Sequence, residues 1–359
     1  MGVFELDVPS FGRTQAAIQL VCASLVALAA AGCSSAESTA PARTSHERDR
    51  TPLTIGYSRL RISLPVFVAE RRGIFRRHGI EPRLQMYDTA QPMMQALVEG
   101  RIDLAGYTAL PITYGAMLRS RTRLLFLTAL VEDSRHRISF LLRRKPEAGR
   151  EPTLRSIADL RGRRVGILPT AAYRAWLEAI LRANAVDSSA VTIQPIEPLL
   201  QAQTLANGGV DALFTNDPAA TAAIVRGVAE PIHDFAEVPR YLGDPFLFGS
   251  FNVREAWARE HPDEVRRLAA ALDEAIAWIA AHPGEAKGDL RPFLPEAFRP
   301  HVERYPDARF LPTTETSEDA FVRMATQYRE AGIIPASLDL TGLVVTGRWP
   351  ASASSPPSR

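Results

Sequence analysis

The chain has 359 residues, which is enough for two domains of ordinary size. Hydrophobic residues make up 46% of the sequence and charged residues 23%, which indicates a globular protein and excludes both a disordered chain and a multi-span membrane protein. The net charge of +2 is too small to indicate binding to nucleic acid.

The amino-terminal region differs from the rest of the chain. Residues 16–31 are almost all small or apolar, a run that is short for a transmembrane helix but suits the core of a signal peptide. The run ends in Ala-Ala-Ala-Gly-Cys33, which is similar to the lipobox of bacterial lipoproteins. We predict a signal peptide over residues 1–32, a lipidated Cys33 and a flexible tether over residues 33–51. A plain secretory signal and a buried cysteine are the alternatives.

These features predict an exported, membrane-anchored protein that faces the periplasm or the cell exterior. The second cysteine, Cys22, lies within the predicted signal, so the mature protein would contain no disulfide. At the other end, residues 346–359 are rich in Ser, Pro and Ala and are predicted to be a disordered tail.

Between these ends, strand and helix patterns alternate along the chain. Strands are predicted at residues 53–57, 82–87, 102–106, 123–130, 163–168, 191–196, 210–214 and 228–232. Helices are predicted between them, from Pro65 onward and at residues 91–99, 111–119, 171–183, 199–207 and 218–226. A long helix then begins at Pro262, and Ser317 caps a last one. Strands separated by helices indicate parallel βαβ units.

One stretch of sequence occurs twice. Residues 96–108 and residues 204–215 each contain a helix end stopped by Gly, a short buried strand and a polar turn, followed by a helix with Pro in its first turn. Equivalent Gly and Asp positions lie 108 residues apart, and Pro111 lies 107 residues before Pro218. Two lobes of the same design explain this repeat, and the turns that follow the strands should face each other across a cleft.

An ordered set of segments resembles the solute-binding receptors of the nitrate/sulfonate/taurine/thiamine-precursor group of bacterial ABC importers. This group is a branch of the type II periplasmic binding proteins. The matching segments lie at residues 53–57, 65–70, 73–75, 78–80, 96–105, 159–166, 210–212, 277–279, 282–283 and 331–334. No single segment is specific, but their order extends over residues 53–345.

The resemblance implies an α/β protein with two lobes, each a mainly parallel sheet flanked by helices. Two crossing segments, expected at residues 138–143 and 247–253, would join the lobes. Lobe 1 is expected at residues 52–140 and lobe 2 at 141–247, with a return to lobe 1 and carboxyl-terminal helices at 248–345. Such receptors close around a small-molecule solute and deliver it to an ABC permease and its ATPase. A monomer is expected.

Ligands of open α/β sheets bind at the carboxyl ends of the strands. Four turns there contain the predicted ligand-binding residues, which are Tyr57, Ser58, Arg59, Tyr107, Thr108, Thr170, Tyr173, Asn216 and Asp217. For each of them the alternative is a structural role as a helix cap, a turn residue, a packed rim residue or solvated surface.

The sequence leaves the kind of solute open. Arg59 and the cluster at residues 135–137 would suit an anion such as a sulfonate, because a guanidinium donates two parallel hydrogen bonds to such a group. The tyrosines would instead suit a flat aromatic solute such as a pyrimidine or a flavin.

No catalytic residue, metal site or cofactor is predicted. The seven His residues show no metal-ligand spacing, and the sequence contains neither a glycine-rich phosphate loop nor a Gly-x-Ser-x-Gly motif. Two alternatives to a transport receptor remain, namely a lipid-anchored solute sensor and an enzyme on the same fold.

Overall fold

The computed structural model describes residues 50–345, all of which belong to one compact unit. The predicted signal peptide, the lipidated Cys33, nearly all of the predicted tether and the tail lie outside the described residues.

In this part of the chain, strands and helices alternate as the sequence predicts. The strands are β1 (Thr51–Tyr57), β2 (Ile80–Met86), β3 (Leu104–Ala109), β4 (Leu124–Glu132), β5 (Ser139–Arg144), β6 (Arg164–Ile167), β7 (Thr192–Pro195), β8 (Ala212–Asn216), β9 (Ala229–Pro231), β10 (Phe246–Arg254) and β11 (Arg309–Leu311). Every predicted strand overlaps one of these, whereas the sequence patterns do not predict the three-residue β11.

The helices follow the strands in the same alternation. They are α1 (Leu64–Arg71), α2 (Ile74–Arg77), α3 (Ala90–Val98), α4 (Leu110–Ser120), α5 (Ala171–Ala183), α6 (Pro198–Ala206), α7 (Ala219–Val225), α8 (Glu237–Leu242), α9 (Glu255–Glu260), α10 (Pro262–Ala281), α11 (Pro283–Leu290) and α12 (Glu318–Glu330). Helices α1, α4, α6, α10 and α11 have Pro in the first turn, where its missing N–H would be unpaired in any case.

The strands form two sheets with the same internal order. The first sheet has the order β2-β1-β3-β10-β4-β11 and the second has the order β7-β6-β8-β5-β9. In each sheet four strands run in one direction, and one strand, β10 or β5, lies antiparallel between two of them. The short edge strand β11 of the first sheet also runs antiparallel to β4. We call the part built on the first sheet lobe 1 and the part built on the second sheet lobe 2.

The antiparallel strands β5 and β10 are the segments that cross between the lobes. Strand β5 follows β4 of the first sheet but pairs within the second, and β10 follows lobe 2 but pairs within the first. The predicted fold class, two α/β lobes of mainly parallel strands joined by two crossing segments, is confirmed. The predicted lobe boundaries, after residues 140 and 247, fall within these two strands.

Equivalent contacts repeat in the two lobes. In lobe 1 the side chain of Asp103 accepts a hydrogen bond from the backbone N–H of Thr54, with a distance of 2.8 Å. In lobe 2 Asp211 accepts the same bond from the N–H of Arg164, with a distance of 2.9 Å. Each aspartate therefore holds the start of its strand, β3 or β8, against the neighbouring strand, β1 or β6, which is a structural role.

Helix α12 contacts one helix from each lobe. The Tyr114 hydroxyl of α4 donates a hydrogen bond to the carbonyl oxygen of Phe321, with a distance of 2.9 Å. The Trp176 indole N–H of α5 donates to the Tyr328 hydroxyl, with a distance of 3.3 Å. All three aromatic side chains are fully buried, so α12 fixes the two lobes together behind their facing turns.

We expect Gly106→Ala to destabilise the fold. A Cβ at this position in β3 would lie 2.2 Å from the carbonyl oxygen of Gly56 in β1, and a strand carbonyl cannot move aside without breaking the sheet. Overpacking of this kind costs about 1–3 kcal/mol in the free energy of unfolding. Urea unfolding would measure the loss, with Gly288→Ala in α11 as the control, because nothing lies within 4 Å of a Cβ there. Equal stabilities of the two variants would contradict the expectation.

Candidate functional site

A cavity lies between the two lobes, at the carboxyl ends of their parallel strands. It encloses about 50 Å³ and we call it the inner cavity. Lobe 1 lines it with residues that follow β1 and β2 and with the end of β3, and lobe 2 lines it with residues that follow β6 and β7 and with the end of β8. Phe248 of the crossing strand β10 completes the lining.

A second cavity adjoins the first one on the outer side. It encloses about 160 Å³, and we call it the outer cavity. Leu60, Asp88, Glu197 and Pro198 line both cavities, so the two spaces are neighbours along one interlobe cleft. Leu199 in the outer lining is 52% exposed, which places the outer cavity at the mouth of the cleft.

The structure brings most of the predicted ligand-binding residues to this cleft. Ser58, Tyr107, Thr170, Tyr173 and Asn216 line the inner cavity. Arg59 is exposed and lines the outer cavity only.

Three predicted residues lie outside the lining of both cavities. Tyr57 packs edge-on against two phenylalanine rings of lobe 1, at centroid distances of 5.4 and 6.0 Å. The Thr108 hydroxyl is buried and donates to the Asn252 side-chain oxygen at 3.0 Å. One carboxylate oxygen of Asp217 accepts hydrogen bonds from the N–H and the hydroxyl of Thr221. Packing and hydrogen bonding within the protein therefore account for Tyr57 and Thr108, whereas the second carboxylate oxygen of Asp217 is buried without a hydrogen-bond partner among the described residues.

Three side chains of the inner cavity carry a buried oxygen without a hydrogen-bond partner among the described residues. They are the Tyr107 hydroxyl, the Tyr173 hydroxyl and the Asn216 side-chain oxygen, and the Asn216 side chain lies next to the Tyr173 hydroxyl. Burial raises the pKa of both tyrosine hydroxyls well above 10, so both remain protonated and can donate. An unpaired buried polar atom costs about 1–3 kcal/mol, so these atoms favour a hydrogen-bonding group placed between the lobes.

The charged residues at the inner cavity are acidic. Asp88 from lobe 1 and Glu197 from lobe 2 are its charged lining residues, and both are exposed towards the cleft mouth. In the described part of the chain, neither carboxylate takes part in an ion pair. The charged side chains that line the inner cavity therefore disfavour an anion.

A buried arginine that the sequence analysis missed lies next to this cleft. Arg61, two residues after Arg59, is only 3% exposed and donates to the carbonyl oxygens of Pro306, Asp307 and Arg137. Its guanidinium also lies 3.6 Å from the Asp217 carboxylate of lobe 2. Arg61 therefore connects lobe 1, a crossing segment and lobe 2.

The predicted cationic cluster at residues 135–137 does not reach the cavities. Arg137 donates to the buried carboxylate of Glu237 at 2.7 Å, and His136 bonds to Asp133 at 2.9 Å. Arg135 is exposed. The cluster thus holds the crossing segment in place instead of neutralising a solute.

The amino end of α5 is already capped. The Thr170 hydroxyl accepts a hydrogen bond from the N–H of Tyr173 at 3.2 Å, which uses one of the N–H groups that bind an anion at such an end. The amino end of α3, at Ala90, has no side-chain cap and lines the inner cavity.

The sequence analysis also missed Asp88, Glu197 and Phe248. The two acids follow the outer strands β2 and β7, whereas the prediction considered only the turns after β1, β3, β6 and β8. A strand followed directly by a helix is the signal that could have found both acids, since each such turn opens on the same edge of its sheet. Phe248 lies in the predicted crossing run 247–253, and its position at the cleft follows from β10 entering the first sheet.

Two further properties of the described residues bear on the class of site. Among residues 50–345, no three His, Cys, Asp or Glu side chains lie close enough to hold a metal ion. None of the helices in that range combines the length and the hydropathy that a membrane span requires.

Two α/β lobes with repeated topology, two crossing strands and a cavity at their facing turns define the periplasmic-binding-protein fold. Residues 46–288 match the NMT1-like family, which is more than half of the chain, so this protein belongs to that family. A curated relative, the nitrate import ATP-binding protein NrtC of Synechocystis sp., is 23% identical over 246 residues. The match covers 64% of this chain but only 35% of that relative.

Solved structures show the same fold at low sequence identity. The periplasmic aliphatic sulphonate binding protein SsuA from Escherichia coli superposes with a TM-score of 0.65 at 16% identity, covering 82% of this chain and 97% of that one. The periplasmic nitrate-binding protein NrtA from Synechocystis PCC 6803 gives 0.62 at 15% identity, covering 82% and 85%. The desulfurization enzyme DSZB gives 0.58 at 18% identity, covering 83% and 97%.

Proposed function

We propose that this protein is the extracytoplasmic solute-binding receptor of an ABC importer. It captures a small organic solute between its two lobes and delivers the solute to a permease and its ATPase. The observation that carries the proposal is the inner cavity, whose lining residues from both lobes carry unpaired buried oxygens. The names of the sulphonate-binding and nitrate-binding structures of the same fold support it.

The small volume of the inner cavity indicates that the receptor must open to admit a solute. About 50 Å³ is room for one or two water molecules, so a solute gains access only when the lobes separate. A solute that bonds to Tyr107 of lobe 1 and to Tyr173 and Asn216 of lobe 2 then stabilises the closed form. It can do so only by the difference between its affinities for the closed and open forms.

The remaining parts of the proposal rest on the sequence. The signal peptide over residues 1–32 and lipidation at Cys33 would place the receptor on the outer side of a membrane, joined to its lipid by the tether over residues 33–51. The lobe boundaries and a monomeric state are part of the same proposal.

A solute-converting enzyme is the second candidate, because DSZB, which is named an enzyme, has the same fold. The described residues that line the inner cavity include neither His, Cys nor Lys, and its carboxylates are the exposed Asp88 and Glu197. The Ser58 hydroxyl lies 3.5 Å from the Ser63 hydroxyl and bonds to no base in the described range. The absence of a nucleophile paired with a base among these residues favours binding over catalysis. A lipid-anchored sensor would use the same cleft, and a neighbouring gene for a kinase instead of a permease would favour it.

A thermal-shift screen tests the receptor proposal. The panel contains nitrate, taurine, alkyl- and arylsulfonates, hydroxymethylpyrimidine, thiamine and riboflavin. A solute present at 100 times its Kd adds about 2.7 kcal/mol to the free energy of unfolding, which raises Tm by roughly 5–10 °C in a protein of this size. A cooperative melt that no small solute shifts would contradict the proposal.

A further inference from the structure

The chemistry of the inner cavity indicates which solute it takes. Three aromatic side chains, Tyr107, Tyr173 and Phe248, line it and are each less than 4% exposed. Tyr107 and Phe248 pack with their rings near parallel, 25° apart, and Tyr173 meets the Phe248 ring edge-on. Aromatic walls of this kind favour a flat, apolar ring over a small hydrated ion.

The polar atoms in this aromatic lining are suited to a neutral hydrogen-bonding solute. The two protonated tyrosine hydroxyls can donate to an acceptor, and the Asn216 side-chain oxygen can accept from a donor. A solute that carries a donor and an acceptor on one ring would satisfy oxygens from both lobes at once.

The cavity offers an anion little compensation for its lost hydration. None of the described residues that line the inner cavity is Arg, Lys or His, and its two charged residues, Asp88 and Glu197, are acids. The nearby Arg61 already donates to three carbonyl oxygens and faces the Asp217 carboxylate. The uncapped amino end of α3, which Asp88 precedes by two residues, and the exposed Arg59 of the outer cavity are the features that favour an anion.

We propose that the inner cavity binds a flat aromatic solute that is uncharged or cationic, in preference to an oxyanion. This inference rests on the proposed receptor function and specifies its solute class. When the lobes separate, a ring that enters from the outer cavity would pack against the aromatic side chains, while a cationic substituent would lie near Asp88 and Glu197 at the cleft mouth.

Three probes of nearly equal shape distinguish an uncharged or cationic aromatic solute from an anionic one. Benzamide is neutral, benzamidinium is cationic and benzoate is anionic, and all three share one ring. Nitrate and methanesulfonate serve as anions without a ring. Isothermal titration and ligand-observed NMR of the full-length chain should show benzamide and benzamidinium binding at least tenfold more tightly than benzoate, nitrate or methanesulfonate.

Variants of the lining test how the probes are recognised. Tyr173→Phe removes one unpaired hydroxyl and should weaken benzamide about five- to tenfold, whereas Tyr241→Phe, outside both cavities, should leave its affinity unchanged. The double variant Asp88→Asn, Glu197→Gln should weaken benzamidinium several-fold relative to benzamide. Asp234→Asn, an exposed acid outside the cleft, is the control for the loss of charge.

The results of these experiments test the proposed solute class and the proposed receptor function separately. Tightest binding of benzoate, nitrate or methanesulfonate would overturn the solute class and leave the receptor function in place. Failure of all five probes up to millimolar concentration would overturn the solute class, and the receptor function would fail with it only if the wider thermal-shift panel were also silent.

Discussion

Arg61→Ala is expected to lower the free energy of unfolding by about 3–5 kcal/mol, because it removes one member of a buried ion pair whose two groups are each hydrogen-bonded to other residues. The Arg61 side chain is 4% exposed and that of Asp217 is 0% exposed. Without the guanidinium, the Asp217 carboxylate loses its counter-charge, and the carbonyl oxygens of Pro306, Asp307 and Arg137 lose their donor. In a protein of this size, Tm should fall by roughly 10 °C.

Arg59 provides a matched control. It has the same side chain two positions earlier, is exposed, and forms neither an ion pair nor a side-chain hydrogen bond with any residue in the described range. Arg59→Ala should therefore stay within about 0.5 kcal/mol of the native protein in urea unfolding. Similar losses for the two variants would show that the buried contacts of Arg61 contribute no more than a solvated arginine does.

The same contacts connect stability to function. Arg61 lies in lobe 1, Asp217 lies in lobe 2, and the Arg137 carbonyl belongs to the segment that crosses between them. Separation of the lobes around this crossing must keep the buried pair intact or expose it to water. Because the pair lies beside the inner cavity, an Arg61 variant should also shift the balance between open and closed forms, which small-angle scattering would detect.

The contrast between Arg59 and Arg61 shows what the sequence alone could not predict. Both arginines follow the first strand, and the local sequence offers no reason to separate them. What separates them is the set of carbonyl groups at residues 137, 306 and 307, which only the folded chain brings to one place. Residues so distant in the sequence leave no local pattern.

The fold was predictable because its signals are local and repeated. Strand and helix periodicity, Pro in first turns and the doubled Gly and Asp positions together specify parallel units in two lobes. The candidate site was predictable only in part. Turn positions identified Ser58, Tyr107, Thr170, Tyr173 and Asn216, but the acids and Phe248 depend on which strands lie next to each other.

Glu132 should make the stability of the protein depend on pH near neutrality. It is the last residue of β4 and is fully buried, and burial raises its pKa from 4.5 to about 7. Its carboxylate accepts hydrogen bonds from the N–H groups of Ile138 and Ser139 and from the Ser139 hydroxyl, at 2.8–3.1 Å. These bonds and the charge of Arg137 oppose the effect of burial on the pKa. Glu132 thus ties the end of β4 to the start of the crossing strand β5.

The raised pKa of Glu132 determines whether the free energy of unfolding rises or falls with pH. Between about pH 4.5 and pH 7 the folded protein holds a proton that the unfolded chain releases, so the free energy of unfolding falls as the pH rises through this range. A difference of one pH unit between the two pKa values is worth about 1.4 kcal/mol, which makes the full effect about 3 kcal/mol. The stabilisation is complete below pH 4.5 and is lost above pH 7.

Glu132→Gln isolates this effect, because the amide oxygen still accepts from the two N–H groups but does not titrate. Urea unfolding at several pH values should show the native protein losing about 3 kcal/mol relative to Glu132→Gln as the pH rises from 4.5 to 7.5. Tyr107 and Tyr173 lie near this carboxylate but remain protonated throughout, so they add no slope. Glu315→Gln, an exposed position whose side chain makes no hydrogen bond to a described residue, should follow the native curve. Parallel curves for the native protein and Glu132→Gln would mean that the buried carboxylate is ionised at its ordinary pKa, and that its bonds to the crossing strand outweigh its loss of hydration.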